Sequence, residues 1–290
     1  MQPVPVEPEI TVVIPTFDRA TVVLAAVQSV LDQAGPRMEV IVVDDGSGDD
    51  TVTRVASHPD PRVRLVQAAH GGVCAARNLG AAAARAPWLT FLDSDDVAAE
   101  GWLAALCEPL ARGAELVTCG AELRYPDGRV RIVRPVPLGP AFGSITAHFL
   151  AGTFAMPTEL FRAVGGYRVG LTYGENTELG MRLGTEARAR GARVAADPRP
   201  LVQVSAVVRE YVARRYFESG VAVLRDTGEL LAKDPRLHAS YLAITGVAAS
   251  RDGRVRDAHR LLWRAWRVEP RNWKHVARLA RSCVPVRALR

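Results

Sequence analysis

Lysine is nearly missing from this chain: of 37 basic residues only Lys233 and Lys274 are lysine. That bias runs through the whole sequence, reads as a property of the coding sequence, and marks no site. Cysteine is scarce as well. Cys74, Cys107, Cys119 and Cys283 share no C-x-x-C spacing, which argues against a zinc centre or a disulfide framework. No apolar run approaches the roughly 18 residues that cross a bilayer, so a spanning segment is excluded and a soluble protein is expected. Met1 to Ile10 holds three prolines with Glu7 and Glu9 but no basic stretch, so no secretory signal is legible and a cytoplasmic location is expected. The 24 glycines and 19 prolines follow no period, and no repeat or low-complexity stretch stands out, which excludes fibrous and disordered classes. What is present is 290 residues, 48% apolar and 23% charged, enough for one ordinary globular unit with a smaller appendage.

The charge is unevenly placed. Residues 251 to 290 carry 12 Arg or Lys against Asp252, Asp257 and Glu269, a local net of +9, which leaves −3 for the first 250 of a chain whose total is +6. Within Arg254 to Trp266, Val255, Leu261, Leu262 and Ala265 recur near helical spacing with arginines between them. Such a segment reads as a solvated helix face packed on the body, as a peripheral contact with an anionic membrane surface, or as a site for an acidic acceptor or partner. Nucleic acid is not expected, since no binding motif accompanies the charge.

The first two-thirds alternate strands and helices. Ile10 to Ile14 is a β-branched run stopped by Pro15, and Glu39 to Val43 is a second, stopped by Asp44-Asp45-Gly46. Helical spacing covers Thr21 to Leu31, Thr51 to Ser57 and Val73 to Ala84, with further strands at Val63 to Val66 and Trp88 to Leu92. This order predicts an α/β fold with a mostly parallel sheet and right-handed crossovers. Ligands of such sheets sit beyond the carboxyl ends of the strands, here the loops Pro15 to Asp18, Asp44 to Ser47 and Asp93 to Asp96. Two of those loops are acidic and would repel a phosphate unless a cation stood between. Asp93-Ser94-Asp95, if extended, aims two carboxylates to one side, and hard oxygen donors suit Mg²⁺ or Mn²⁺ shared with phosphates. The same string also reads as a turn capping a helix after Val97. Four helical segments are expected towards the end, Val204 to Lys233, Pro235 to Ala249, Val255 to Val268 and Asn272 to Ser282, so the division falls into 1–203 and a basic helical lobe over 204–290. Trp263, Trp266 and Trp273 are expected to pack that lobe, with acceptor contact as the other reading. His70 and His148 are isolated and read as structural.

Taken in order, Ile14-Pro15-Thr16-Phe17-Asp18-Arg19, Val42-Val43-Asp44-Asp45-Gly46-Ser47, Gly71-Gly72-Val73 with Ala76-Arg77-Asn78, Phe91-Leu92-Asp93-Ser94-Asp95-Asp96, Gly165-Gly166-Tyr167 and Glu175-Asn176-Thr177-Glu178-Leu179 resemble the family 2 glycosyltransferases of the GT-A fold. The resemblance covers about residues 9 to 200. It implies a metal-assisted, inverting transfer of a sugar from a nucleoside-diphosphate sugar, a UDP-sugar by family frequency. The acceptor would be a polysaccharide precursor, a lipid-linked saccharide or a small natural product. Carried over residue by residue, Pro15, Thr16 and Phe17 with Asp45 would hold the nucleobase. Asp18, Arg77 and Ser94 would complete the donor site, with Arg77 reaching the base or a phosphate or else forming a salt bridge on the helix surface. Asp93 would lie near the ribose and the metal, Asp95 on the metal, and Asp96 behind them or at a helix cap.

Two positions depart from the family. Where the family places its basic aspartate this chain has Asn176, and an amide cannot take a proton. Either Glu175, the first choice, or Glu178 serves as base; or the acceptor is an amine or thiolate needing little help; or the chain is a nucleotide-binding pseudoenzyme. For Glu178 a favourable helix-dipole position is the plainer reading. The segment Val202-Gln203-Val204-Ser205 lacks the histidine that many relatives add to the metal, and Arg209, Arg214 and Arg215 are alternative pyrophosphate contacts. A sugar nucleotidyltransferase would show G-x-G-x-R after the first strand, which Pro15-Thr16-Phe17-Asp18 does not match.

Overall fold

The computed structural model describes residues 7–206 and 212–282. The expectations for the N-terminal segment before Glu7, for Arg209 and for Cys283 lie outside the described residues. These divide into two compact units, one drawn from Met1–Leu138, Ile145–Val169 and Glu175–Val208, the other from Gly139–Ser144, Gly170–Gly174 and Arg209–Arg290.

The first unit is built on β1 (Ile10–Thr16), β2 (Met38–Asp44), β3 (Val63–Gln67) and β4 (Trp88–Phe91), linked by α1 (Val23–Leu31), α2 (Thr51–Ala56) and α3 (Val73–Ala83). All seven residues of β1 and of β2 are buried, as continuous β-branched runs require when both sheet faces are covered. The chain continues through β5 (Val97–Ala98), α4 (Trp102–Ala111), β6 (Ala114–Arg124), β7 (Val130–Val133), β8 (Val136–Pro137), β9 (Thr146–Ala147), β10 (Phe154–Pro157), α5 (Thr158–Ala163), α6 (Glu175–Arg190) and β11 (Arg193–Ser205). The main sheet runs β3-β2-β1-β4-β10-β6-β11-β5 with β7 on β6. Strands β1 to β4 pair in parallel; β10 enters antiparallel to both β4 and β6, while β6 and β11 are parallel.

Strand β1 runs two residues past its expected stop, through Pro15 to Thr16. A proline in a central strand must avoid a ladder bond, and this one does. Val13 C=O accepts from Leu92 N–H on the β4 side, so the missing N–H of Pro15, two residues on, faces the same side after β4 has ended at Phe91. With β2 and β3 on one side of β1 and β4 on the other, the strand order reverses at that point, where α/β sheets open a crevice.

Val97 and Ala98 form a short strand on β11, and the next helix starts only at Trp102, so no helix follows Val97 for Asp96 to cap. Val204 and Ser205 belong to the sheet instead of opening a helix, which puts the expected 203/204 division inside β11. The helices of the second unit are α7 (Ala213–Asp226), α8 (Gly228–Ala232), α9 (Pro235–Arg251), α10 (Val255–Val268) and α11 (Trp273–Ser282). Their core gathers Leu242, Ala243, Leu261, Leu262 and Ala265, and contrary to expectation Trp263, Trp266 and Trp273 are not part of it but exposed. No helix among the described residues is long and apolar enough to cross a membrane.

Candidate active site

The loops after β1 and β2 are tied together before any ligand arrives. Asp44 accepts from the N–H groups of Gly46 and Ser47 and from the Ser47 hydroxyl, closing a turn on itself. Ser47 Oγ in turn accepts from Asp18 N–H at 2.9 Å, and Asp18 Oδ1 accepts from Gly48 N–H at 2.8 Å. Those bonds hold Asp18 at φ +50°, a left-handed conformation that aspartate tolerates better than most residues. Asp49 adds an anchor, accepting from Ala20 N–H and from Thr51. Phe17 is thereby presented outward, 41% exposed, with its ring centroid 4.5 Å from that of His70. It is a flat apolar wall, not a core residue. Thr16 Oγ1 is buried with no hydrogen-bond partner.

Asp45 is buried and already engaged. Its two carboxylate oxygens accept from Gly71 N–H (2.8 Å) and Gly72 N–H (2.9 Å), and His70 Nδ1 lies 3.1 Å from Oδ2. The turn at Gly72, φ +86°, then leads into α3. His70, read from sequence as isolated, therefore sits between Phe17 and Asp45.

Arg77 on α3 is the centre of the arrangement. It is 1% exposed, which excludes the helix-surface salt bridge. Its Nη2 donates to Asp93 Oδ1 at 2.6 Å and its Nη1 to Glu175 Oε1 at 3.2 Å, while its guanidinium lies 5.0 Å from the Tyr167 ring centroid and Nε is unpartnered. Burial opposes the guanidinium's charge, but the carboxylates of Asp93 and Glu175 outweigh it and hold the group well above the ordinary arginine range. The neighbouring Asn78 clamps the same tyrosine: its side chain donates to Tyr167 C=O and accepts from Tyr167 N–H, both at 2.8 Å. A Cβ on Gly166 would stand 2.7 Å from Asn78 Oδ1, so glycine is required there. The Ala-Arg-Asn and Gly-Gly-Tyr strings are thus two halves of one contact.

Asp93 to Asp96 form a turn, Asp96 N–H donating to Asp93 C=O at 3.0 Å, so the carboxylates of Asp93 and Asp95 are not aligned by an extended strand. Asp93 faces Arg77, Asp95 faces Arg19 at 3.7 Å, and Ser94 between them is buried. Asp96 points back and accepts from Ser205 N–H at 2.9 Å, fastening the acidic turn to the end of β11. Burial, then the charges of Asp93 and Asp95, push its carboxyl up to about 8 against the help of that N–H. Among the described residues no group of three or more His, Cys, Asp or Glu is arranged to hold a metal. The partly exposed Asp93 and Asp95 nevertheless fit the partial ligand set by which Mg²⁺ or Mn²⁺ is held when phosphate oxygens and water fill the remaining positions.

At the start of α6 the three candidates separate. Glu175 meets Arg77 and Asn176 through Oε1, and Oε2 takes no hydrogen bond among the described residues. Asn176 accepts from the Tyr167 hydroxyl at 2.7 Å and donates to Glu175 Oε1 at 3.2 Å. Glu178 is fully buried, with Oε1 on Arg168 (2.7 Å) and Oε2 on Arg182 (2.6 Å), so it is an internal ion-pair hub facing no acceptor. Arg19 stood in the first family string without a role, and no role was legible for Arg168 or Arg182, because their partners lie far along the chain or on a helix face that becomes visible only when it is buried.

Residues 11–165 match the sequence profile of Glycosyl transferase family 2. Among curated proteins, the chain is 40% identical over 124 residues to the succinoglycan biosynthesis protein ExoO of Rhizobium meliloti, covering 42% of this chain and 36% of that protein. It is 31% identical over 235 residues to the pre-mycofactocin glycosyltransferase of Mycobacterium tuberculosis, covering 74% of this chain and 47% of that one. The chain thus spans less than half the length of these relatives. Among solved structures, S. aureus TarS 1-349 in complex with UDP-GlcNAc superposes with a TM-score of 0.64 at 17% identity, over 90% of this chain and 81% of that one. The mannosyltransferase PcManGT of Pyrobaculum calidifontis, in complex with GDP-Man and Mn²⁺, does so with 0.60 at 20% identity, over 96% and 87%. Sequence profile, relatives and fold agree: the chain belongs to the family 2 glycosyltransferases and has the GT-A fold.

Proposed function

We propose that this chain transfers a sugar, with inversion, from a nucleoside-diphosphate sugar to an acceptor nucleophile, with a UDP-sugar as donor and a divalent cation bound beside it. The observation that carries the reading is Arg77, buried between Asp93 and Glu175, which draws the acidic turn and the start of α6 into one cluster beyond the carboxyl ends of the parallel strands. The TarS and PcManGT complexes, with UDP-GlcNAc and GDP-Man, support a nucleotide-sugar donor.

The nucleobase lies against Phe17 over the frame of Pro15, Thr16, Asp18 and Asp45; a ring on that exposed wall sheds water from its stacked face. Asp45 serves chiefly by fixing the Gly71-Gly72 turn, since its oxygens are occupied by backbone N–H groups. Asp93 and Asp95 hold Mn²⁺ or Mg²⁺, with Ser94 buried between them on the donor side. The cation, when bound, neutralises the diphosphate as it leaves. Arg77 holds Asp93 in place and is a positioning residue; it does not itself reach the donor.

Transfer by in-line displacement needs a base for the acceptor hydroxyl, and Glu175 fills that role through its open Oε2. Asn176 positions it: the amide donates to Glu175 Oε1 while Tyr167 fixes its other end, a bond that an aspartate could not make. The unit that ends with β11 carries this chemistry in the proposal, with the helices from α7 onward as a basic lobe.

A nucleotide panel of UDP, GDP, CDP and dTDP, each with and without Mn²⁺, tests it by thermal shift and by release of nucleotide from the matching sugar donors. A Mn²⁺-dependent rise in Tm for UDP above the others supports the donor assignment, and slow hydrolysis of a UDP-sugar supports the reaction. No shift for any nucleotide at millimolar concentration would reject the proposal.

A further inference from the structure

Helices α10 and α11 carry an exposed surface outside the residues assigned to the donor site. Helix α10 turns Ala258, Leu261, Leu262 and Ala265 inward and leaves Trp263 45% and Trp266 37% exposed. Helix α11 is more lopsided: His275 is buried, whereas Trp273 is 71% and Val276 48% exposed. At about 100° per residue, Trp273, Val276 and Ala280 fall within about 60° of one another, on the side away from His275. Lys274 and Arg278 occupy the adjoining flank, about 100–140° round from Trp273.

The cations here are largely uncompensated. Among the described residues Arg256, Arg264, Arg271, Lys274 and Arg278 make no ion pair, although Arg254 and Arg260 on the same stretch do. Arg267 lies over the Trp263 ring at 4.8 Å, which keeps that indole beside a positive charge. Residues 251–290 sum to +9. A narrow apolar strip with tryptophan on it, bounded by unpaired arginine and lysine, matches a helix lying in the plane of a lipid interface: indoles sit at headgroup level and cations meet anionic headgroups. An acidic protein partner would bury the same tryptophan, and binding to protein-free vesicles separates the two.

We infer that α11, with the basic face of α10, docks on an anionic lipid surface, Trp273 and Val276 entering the headgroup boundary while Arg256, Arg264, Arg271, Lys274 and Arg278 neutralise the lipid charge. Each cation near such a surface adds about fivefold to partitioning, and the effect is screened by salt.

The test uses the full chain without nucleotide and sedimentation with phosphatidylcholine vesicles, neutral or containing about 30 mol % phosphatidylglycerol. The expected results are partitioning at least about tenfold stronger on the anionic vesicles, its decline between about 50 and 500 mM salt, and a blue shift of tryptophan emission. R271Q/K274Q/R278Q should lose at least about tenfold in partitioning, and W273S/V276S most of the blue shift, with circular dichroism unchanged since all five side chains are exposed. Equal binding to neutral vesicles, no binding to either, or binding unchanged in both variants would overturn the inference. So would loss of a dimer in W273S/V276S on size exclusion without any vesicle binding, which would assign the strip to a second copy of the chain.

Discussion

Glu175, Asn176 and Glu178 lie within one turn of α6 and meet three different environments. Glu175 keeps one oxygen open, Asn176 bridges Tyr167 to Glu175, and Glu178 is sealed between Arg168 and Arg182. The proposal therefore assigns them different losses. Glu175→Gln should lower turnover by about 10²–10⁴-fold with nucleotide affinity little changed. Glu178→Gln should instead lower stability by about 2–3 kcal/mol, measured by chemical unfolding, because it leaves two guanidiniums with half a partner. Full activity in Glu175→Gln would remove it as base. The thiols give a separate prediction. Burial pushes Cys74, Cys107 and Cys119 up to about 12, so at pH 8 each is almost wholly protonated. Peptide mapping after iodoacetamide treatment should find all three unmodified in the native protein and all three labelled in guanidinium. At this scale the sequence showed which residue types were present but not which atoms were occupied: the Asp45 string reads the same whether its carboxylate faces a base or the Gly71-Gly72 backbone.

At the scale of elements, β1 and β2 are held at their amino ends by a polar contact inside an apolar sheet. Glu39 sits opposite Thr11 in register and accepts from its hydroxyl (2.6 Å), from Arg85 N–H (2.7 Å) and from Arg64 (2.8 Å). Burial raises its carboxyl, but those bonds outweigh burial and leave it below the ordinary 4.5. Since the folded value lies below the unfolded one, the stabilisation is complete above about pH 4.5 and is lost as pH falls through the folded value. Glu39→Gln should lower Tm by a few degrees at pH 7, and the gap to the parent protein should narrow below about pH 4. A gap independent of pH would contradict the ionic account. Helix α3 approaches the sheet just as closely. A Cβ on Gly80 would overlap Val13 and stand 3.0 Å from Val43 Cγ2, so Gly80→Ala should cost about 1–3 kcal/mol by overpacking despite alanine's better helix propensity. Strands β1, β2 and β4 were legible because both-face burial writes continuous apolar runs, and the edge strand β3 because Val63, Leu65 and Val66 still form a short apolar run. Strand β11 was not, because Asp197, Pro198 and Pro200 interrupt it at register shifts in its pairing with β6.

For the whole molecule, order along the chain carried more than any single motif. An Asp-Ser-Asp string alone is a turn, and here it is one; it becomes part of a candidate site because Arg77, 16 residues earlier, and Glu175, 98 residues after Arg77, converge beside it. The exposure of Trp263, Trp266 and Trp273 was not legible, since helical spacing shows which residues share a face but not whether another element covers it. The central claim is that Asp93 and Asp95 bind a nucleoside diphosphate through a divalent cation. Isothermal titration of UDP into the protein, with Mn²⁺ and then with EDTA, for the parent chain and for Asp95→Asn, addresses it directly. The account predicts micromolar-to-millimolar binding that requires Mn²⁺ and weakens at least about tenfold in Asp95→Asn. Equal affinity in EDTA, or an Asp95→Asn variant that binds UDP as the parent does, would contradict it.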